Sequence, residues 1–196
     1  MNMNDLKITY FSGCLLLGLI ILSPTVSMFV QLPGGEAFSE LWILGAGHMA
    51  EDYPFNLEEN VTYRVYLGIG NRMGQAQYYR VQVKLRNQTE SFPNTTLAQP
   101  SELTPLVMFE AFAAKDMVWE KELLLSFKMS FDGNVSKISE ITVNNRAFNV
   151  NSSALWDTEN SGFYFQLFFE LWIFDGSSSF SYHNRFVSLW LNATST

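Results

Sequence analysis

Residues Val61 to Leu85, which read VTYRVYLGIGNRMGQAQYYRVQVKL, determine the fold class of this chain. Apolar side chains occupy every second position on both sides of a central segment that contains Gly70 and Gly74. A period of two is typical of a β-strand with one buried face, because successive side chains point to opposite sides of a sheet. The stretch therefore predicts two strands joined as an antiparallel hairpin.

The register of these two strands follows from which positions are apolar. The core-face residues are Val61, Tyr63, Val65, Leu67 and Ile69 in the first strand and Tyr79, Val81, Val83 and Leu85 in the second. The solvent-face residues are Thr62, Arg64, Tyr66 and Gly68 in the first strand and Arg80, Gln82, Lys84 and Arg86 in the second. A polar outer face of this kind favours an antiparallel sheet.

Further hairpins are indicated towards the carboxyl terminus. Leu123 to Phe131 alternates in the same way and is followed by Asp132-Gly133, a pair that favours a tight turn. Asn144-Asn145 indicates another turn, and Phe163 to Phe174 forms the last hairpin with Tyr182 to Asn192.

Seven or eight short strands are expected, with no long helix among them. Leu106 to Ala114 fits either a short helix or a strand. Short strands separated by regular turns are typical of a β-sandwich. We therefore predict an all-β fold, an immunoglobulin-like antiparallel β-sandwich over residues 41–196, preceded by one N-terminal transmembrane helix.

The amino-terminal stretch from Ile8 to Val30 contains no charged residue. A helix of this length reaches roughly 34 Å, and the hydrocarbon core of a bilayer is about 30 Å thick. We predict a transmembrane anchor over residues 1–32 and a linker over residues 33–40. Lys7 favours a cytoplasmic amino terminus, which gives a protein of the cell membrane with an extracellular C-terminal domain.

A cleaved signal peptide is the alternative interpretation of the same stretch. Lys7 supplies a basic start, Tyr10 to Leu22 an apolar run, and Thr25-Val26-Ser27 a small-residue cleavage site. In that case the protein is secreted.

The composition excludes several classes of function. The net charge is -7 and the isoelectric point is about 4.8, which argues against nucleic acid, because phosphate binding requires a basic surface. The single cysteine, Cys14, lies in the apolar stretch, so the chain has no disulfide framework and no thiolate metal site. We expect no cofactor.

Six asparagines lie in Asn-x-Ser/Thr sequons, which accept glycans only on the secretory side of a membrane. They are Asn60, Asn87, Asn94, Asn134, Asn151 and Asn192. This number exceeds chance expectation and agrees with an extracellular domain.

The run from Pro33 to Leu85 resembles an archaeal family of predicted membrane proteins of unknown function. The matching pieces are Phe38-Ser39-Glu40, Leu44-Gly45, Ala50-Glu51, Tyr53-Pro54, Asn56-Leu57 and Gly68-Ile69-Gly70-Asn71. Asn56 to Leu85 is also similar to immunoglobulin-like adhesion modules, in which an N-x-x-G segment opens a hairpin. The resemblance implies membrane helices coupled to an extracytoplasmic domain and supplies no catalytic residue.

Few residues in the sequence indicate a catalytic or metal-binding site. His48, Glu51 and Asp52 with His183 could in principle hold a metal, but solvated loop polar groups explain them better, and we predict no metal site. No nucleophile elbow, P-loop or dinucleotide fingerprint occurs. We predict that the protein is not an enzyme.

The last hairpin has a second aromatic face opposite the core face. Its residues are Tyr164, Phe168, Trp172, Phe174, Tyr182, Phe186 and Trp190. A two-layer sandwich has one core, so this second face needs cover. Either the loop at residues 89–118 covers it, or it binds a partner protein or the membrane interface.

These observations favour a non-catalytic, membrane-anchored and glycosylated ectodomain that acts as an accessory or structural subunit of an envelope or membrane assembly. Its expected partners are membrane lipid, through the N-terminal helix, and other membrane or envelope proteins. The alternatives are a secreted surface-layer or filament subunit, and a metal-binding or enzymatic ectodomain.

We expect glycans on at least three of the six sequon asparagines, chiefly Asn87 and Asn94 in the proline-rich loop. Glycopeptide mapping of protein from its native cells measures this directly. Six unmodified asparagines would contradict both the glycosylation and the extracellular placement of the domain.

Overall fold

The computed structural model describes residues 3–29 and 36–194, which form one helix and ten strands. The chain divides into two compact units, Met1–Ala37 and Phe38–Thr196. The helix is α1 (Met3–Phe29). The strands are β1 (Phe38–Leu44), β2 (Asn56–Leu57), β3 (Tyr63–Arg72), β4 (Gln77–Asn87), β5 (Val107–Ala113), β6 (Val118–Asp132), β7 (Val135–Val143), β8 (Arg146–Leu155), β9 (Phe163–Phe174) and β10 (Phe180–Ala193).

The strands form two five-stranded sheets, which confirms the expected all-β class. Sheet A has the order β1-β3-β6-β7-β8, and sheet B has the order β2-β10-β9-β4-β5. All pairs are antiparallel except β2 with β10. The ten strands exceed the seven or eight expected, because the two-residue β2 was not predicted and the ambiguous segment Leu106 to Ala114 contains the strand β5.

Both sheets contribute to one hydrophobic core. Val65 and Leu67 from β3 in sheet A, and Val81 from β4 and Leu167 from β9 in sheet B, are fully buried in one cluster. The predicted core face is therefore correct for most of β3 and β4. Val61 differs, because it precedes the start of β3 and is 38% exposed.

The predicted hairpin between β3 and β4 is wrong. β3 pairs with β1 and β6, whereas β4 pairs with β5 and β9. Residues 73–76 therefore carry the chain from sheet A to sheet B. Alternation identifies which face of a strand is buried, but it does not identify the neighbouring strand. The apolar faces of β3 and β4 both contribute to the shared core from different sheets.

Two predicted turns are confirmed. Asp132-Gly133 joins β6 to β7, and Gly133 has a φ of 55°. Asn144 and Asn145 join β7 to β8 with φ angles of 48° and 66°, as a two-residue hairpin turn requires. The ambiguous segment Leu106 to Ala114 forms the strand β5.

The strand order can be compared with that of the immunoglobulin fold, and four neighbouring strands of sheet B follow it whereas sheet A does not. If β1, β3, β4, β5, β9 and β10 are compared with strands A, B, C, C′, F and G, sheet B has the immunoglobulin order G-F-C-C′. In that fold the strand beside B is E, which comes just before F in the chain. Here the strand beside β3 is β6, and β7 and β8 separate it from β9. The strand order of sheet A therefore differs from that of the immunoglobulin fold.

The apolar start of the chain forms α1, in agreement with the predicted helix. Within residues 3–29 and 36–194, however, no helix is both long and apolar enough to cross a membrane, so the predicted spanning helix is not found there. Val30 and Pro33-Gly34-Gly35 lie outside the described residues. β1 begins at Phe38, inside the stretch expected to be a linker.

Substitution of Val65 by Asp is expected to unfold the domain, whereas Arg64→Asp is not. Val65 is completely buried, and an unpaired buried carboxylate costs several kcal/mol, a large share of the typical 5 to 15 kcal/mol of domain stability. Arg64 is exposed and forms a surface ion pair with Glu122 at 2.7 Å, worth about 1 kcal/mol or less. Thermal melting of both variants measures the difference, and equal melting temperatures would contradict the register.

Candidate functional site

All seven predicted partner-binding residues lie on β9 and β10, on the face of sheet B away from the core. The structure divides this outer face into a covered centre and two open ends. Phe168 and Phe186 lie at the centre, Tyr164 and Trp190 at one end, and Trp172, Phe174 and Tyr182 at the other.

The centre is covered by the loop at residues 88–106, which connects β4 to β5. The ring of Phe92 packs against Phe168 and Phe186, with centroid distances of 5.8 and 5.5 Å. Phe168 has no exposed surface. For this part of the aromatic face, cover by the chain's own loop is the correct interpretation.

A buried ion pair fastens the same loop to the sheet. Lys84 Nζ donates to Glu170 Oε2 at 2.8 Å and to the Ser101 carbonyl at 2.7 Å. The Ser101 N–H donates to Glu170 Oε1 at 2.7 Å. The side chains of Lys84 and Glu170 are 2% and 0% exposed. The predicted solvent-facing position of Lys84 is therefore wrong, because the loop excludes water from this part of the outer face.

Beside the ion pair, three polar groups lie in register across β4, β9 and β10. Arg80 pairs with Trp172, which in turn pairs with Tyr182. Arg80 Nε, Trp172 Nε1 and Tyr182 Oη are buried and have no hydrogen-bond partner among the described residues. Burial, with a smaller contribution from the Glu170 carboxylate, raises the pKa of Tyr182 to about 12.

The edge of sheet B next to these groups exposes large apolar side chains. We call Tyr78, Met108, Phe112, Phe174 and Phe180 the β5 surface. Met108 and Phe112 are 53% and 63% exposed, and the Tyr78 and Phe174 rings lie 5.7 and 5.5 Å from Phe180.

A polar cluster lies within the β5 surface. The Glu110 carboxylate accepts from Tyr78 Oη at 2.5 Å and from Arg80 Nη2 at 2.6 Å. The bond to Tyr78 and then the bond to Arg80 lower the pKa of Glu110, while the bond to Glu110 chiefly raises the pKa of Tyr78. The Arg80 guanidinium lies 3.9 Å from the centroid of the Phe180 ring.

Sequence reasoning missed Met108 and Phe112. The segment was ambiguous between helix and strand, so no face could be assigned to it. The alternation of Met108, Glu110 and Phe112 with Ala111 and Ala113 is the signal that identifies an outward face.

The opposite end of the outer face contains a cavity of about 450 Å³. We call it the aromatic cavity. It is lined by Phe55, Arg86, Gln88, Asp157, Asn160, Tyr164 and Trp190. Burial lowers the pKa of Arg86, and hydrogen bonds from Asn160 and then Glu159 lower the pKa of Asp157.

The six sequon asparagines differ in accessibility. Asn60, Asn94, Asn134 and Asn151 are exposed. Asn87 and Asn192 are half-buried, and the amide nitrogens that would carry a glycan already donate hydrogen bonds. Asn87 Nδ2 donates to the Ser153 carbonyl and Asn192 Nδ2 to Asn56 Oδ1, each at 3.0 Å. The geometry thus favours Asn94 over Asn87 as an acceptor.

The residues considered for metal binding have other contacts. His48 stacks on Tyr66 at 3.6 Å and its Nε2 lies 2.9 Å from Glu120 Oε1, while Glu51 and Asp52 are exposed. Among the described residues, no group of three or more His, Cys, Asp or Glu side chains is arranged to hold a metal ion.

Ser39 and His183 lie within hydrogen-bond distance of each other, although no motif in the sequence predicts this contact. His183 Nε2 lies 3.0 Å from Ser39 Oγ, which is also 2.8 Å from Tyr79 Oη. Burial, with the nearby charge of Arg185, lowers the pKa of His183. Ser39 is 1% exposed, so its hydroxyl connects β1 to β4 and β10 rather than facing a substrate.

Residues 32–140 match the model of a family described as a domain of unknown function, DUF1616. Comparison with curated protein sequences gives no match. Two structures of a β-glucosidase from Listeria innocua, with glucose and with gluconolactone, give TM-scores of 0.42 and 0.34 at 10% and 11% identity. They cover 82% and 81% of this chain, which spans 17% of the enzyme in each case. Because the family model covers more than half of the sequence, the chain belongs to the DUF1616 family.

Proposed function

We propose that this protein is a non-catalytic accessory or structural subunit of a membrane or envelope protein assembly. In this proposal the β domain lies on the extracytoplasmic side and docks to another protein through the β5 surface. The observation that carries the proposal is the exposure of Met108 and Phe112 at the edge of sheet B.

The composition of the β5 surface supports docking to a protein. Aromatic residues, Met and Arg are enriched in the cores of protein interfaces, and the β5 surface combines such residues with the Arg80–Glu110 pair. β5 pairs with β4 alone among the described strands. Exposed apolar side chains at a sheet edge are otherwise a liability for aggregation.

The helix α1 supports attachment to a membrane or to a membrane protein. Among the side chains of α1 that the structure describes, the large apolar ones that are more than half exposed are Met3, Leu6, Ile8, Tyr10, Phe11, Leu15, Leu16, Leu17 and Leu19. They occur on all sides of the helix, and a helix of this kind is stable when lipid or protein covers it. We therefore include contact of α1 with lipid or with a membrane protein in the proposal.

Two further observations support an extracellular, adhesion-like domain. Four of the six sequon asparagines are exposed, as glycan acceptors must be. The order β10-β9-β4-β5 within sheet B corresponds to the order G-F-C-C′ of immunoglobulin variable domains and supports an immunoglobulin-like domain in this proposal. The proposal that this protein is related to archaeal membrane proteins rests on the resemblance over Pro33 to Leu85.

The double variant Met108→Ala/Phe112→Ala is expected to lose its partner while remaining folded. Truncation of buried interface anchors can cost 2 kcal/mol or more, so recovery of the partner should fall about tenfold or more. The measurement is purification of the full chain from native membranes in mild detergent, with quantitative mass spectrometry and thermal melting.

Leu97→Ala is the matched control, because Leu97 is also 63% exposed but lies in the loop at residues 88–106. The control should recover partners as the wild type does. Equal partner recovery by the double variant and the wild type would contradict docking through the β5 surface.

A further inference from the structure

We propose that the aromatic cavity binds a neutral pyranose sugar. This ligand site is distinct from the β5 surface and does not depend on the docking function. Cavities that bind small molecules usually enclose about 300 to 1,000 Å³, and the volume here, about 450 Å³, accommodates one or two sugar rings.

The apolar walls of the cavity are three aromatic rings. Trp190 and Phe55 are 52% and 46% exposed, so both rings have free surface. The centroid of Tyr164 lies 6.2 Å from that of Phe55 and 6.4 Å from that of Trp190. A pyranose ring has faces made of C–H groups, and these faces pack against aromatic rings.

The walls are held in position before any ligand arrives. Tyr164 Oη donates to the Asn160 carbonyl at 2.6 Å, which fixes the central ring to the turn between β8 and β9. The Asp157 carboxylate holds that turn, since Oδ1 accepts the N–H groups of Glu159 and Asn160 and Oδ2 accepts Asn160 Nδ2. Such preorganisation reduces the entropy that binding costs.

The polar lining selects for hydroxyl groups rather than for a charged ligand. Arg86 and Asp157 carry opposite charges, so the lining has no net charge, and both charged groups already bond within the protein. The Gln88 and Asn160 amide nitrogens each donate one hydrogen bond, to the Leu155 carbonyl and to Asp157 Oδ2. Each amide therefore keeps one further N–H and a carbonyl oxygen for a ligand. A hydroxyl group also donates and accepts. A phosphate would be repelled by the Asp157 carboxylate, and a cation would be repelled by the Arg86 guanidinium.

A buried amide oxygen without a hydrogen-bond partner among the described residues lies on the same face of sheet B. Gln166 is in register between Arg86 on β4 and Trp190 on β10. It is 3% exposed, and its Oε1 has no hydrogen-bond partner among the described residues. Gln166 is not one of the residues that line the cavity. Because buried polar groups are nearly always satisfied, its Oε1 is suited to accept from a water that bridges to a bound sugar.

The test is calorimetric titration of the full chain in mild detergent with mannotetraose, cellotetraose and chitotetraose. At least one should bind with a dissociation constant in the millimolar range or below. Trp190→Ala should weaken that binding about tenfold or more, with an unchanged melting temperature. If that variant does not fold, Phe55→Ala provides the same test at the opposite wall.

Two control variants show whether sugar binding belongs to the aromatic cavity. Trp156→Ala removes a tryptophan that is 42% exposed but packs on Phe163 outside the cavity, and it should bind sugar as the wild type does. Met108→Ala/Phe112→Ala should retain sugar even where it loses its protein partner. The inference is overturned if none of the three sugars binds the wild type, or if the folded cavity variant binds as tightly as the wild type.

Discussion

The buried ion pair between Lys84 and Glu170 is the constraint on which the outer face of sheet B depends. A charge without a partner in a protein interior costs several kcal/mol, so the two side chains must remain together. Both also bond to the backbone of Ser101, and the loop at residues 88–106 is thereby held over the sheet. As a result, the middle of β9 is buried on both faces although it belongs to a two-layer protein.

This loop divides the outer face into two separate surfaces. One end exposes the β5 surface, with apolar side chains around the Arg80–Glu110 pair, and has the composition of a protein interface. The other end forms the aromatic cavity, where the polar groups are balanced in charge and suited to hydroxyls. Without the loop, the aromatic face would form one continuous apolar surface. The covered centre leaves two separate surfaces, to which we assign the two proposed binding functions.

The sequence was sufficient for the all-β class, most of the core face and two turns, because these depend on local patterns. Val65 alternates with its neighbours, and Asn144-Asn145 tolerates positive φ at both positions. The sequence was insufficient to predict features that depend on contacts between segments far apart in the chain. The partner of β3 is β6 rather than β4, Lys84 is buried by a loop that ends beyond Ser101, and Ser39 meets His183 across the fold. The β5 surface was missed because Met108 and Phe112 lie in a segment that is too short for its alternation to distinguish a strand from a helix.

Hydrogen–deuterium exchange of Glu170→Leu tests the role of the ion pair most directly. The substitution removes the acceptor of the Ser101 N–H and leaves the Lys84 charge without its carboxylate. The account predicts faster exchange throughout residues 88–106, while the amides of β3 and β6 in sheet A retain their wild-type protection. Unchanged protection of residues 88–106 in the folded variant would contradict the claim that this pair holds the loop and divides the outer face.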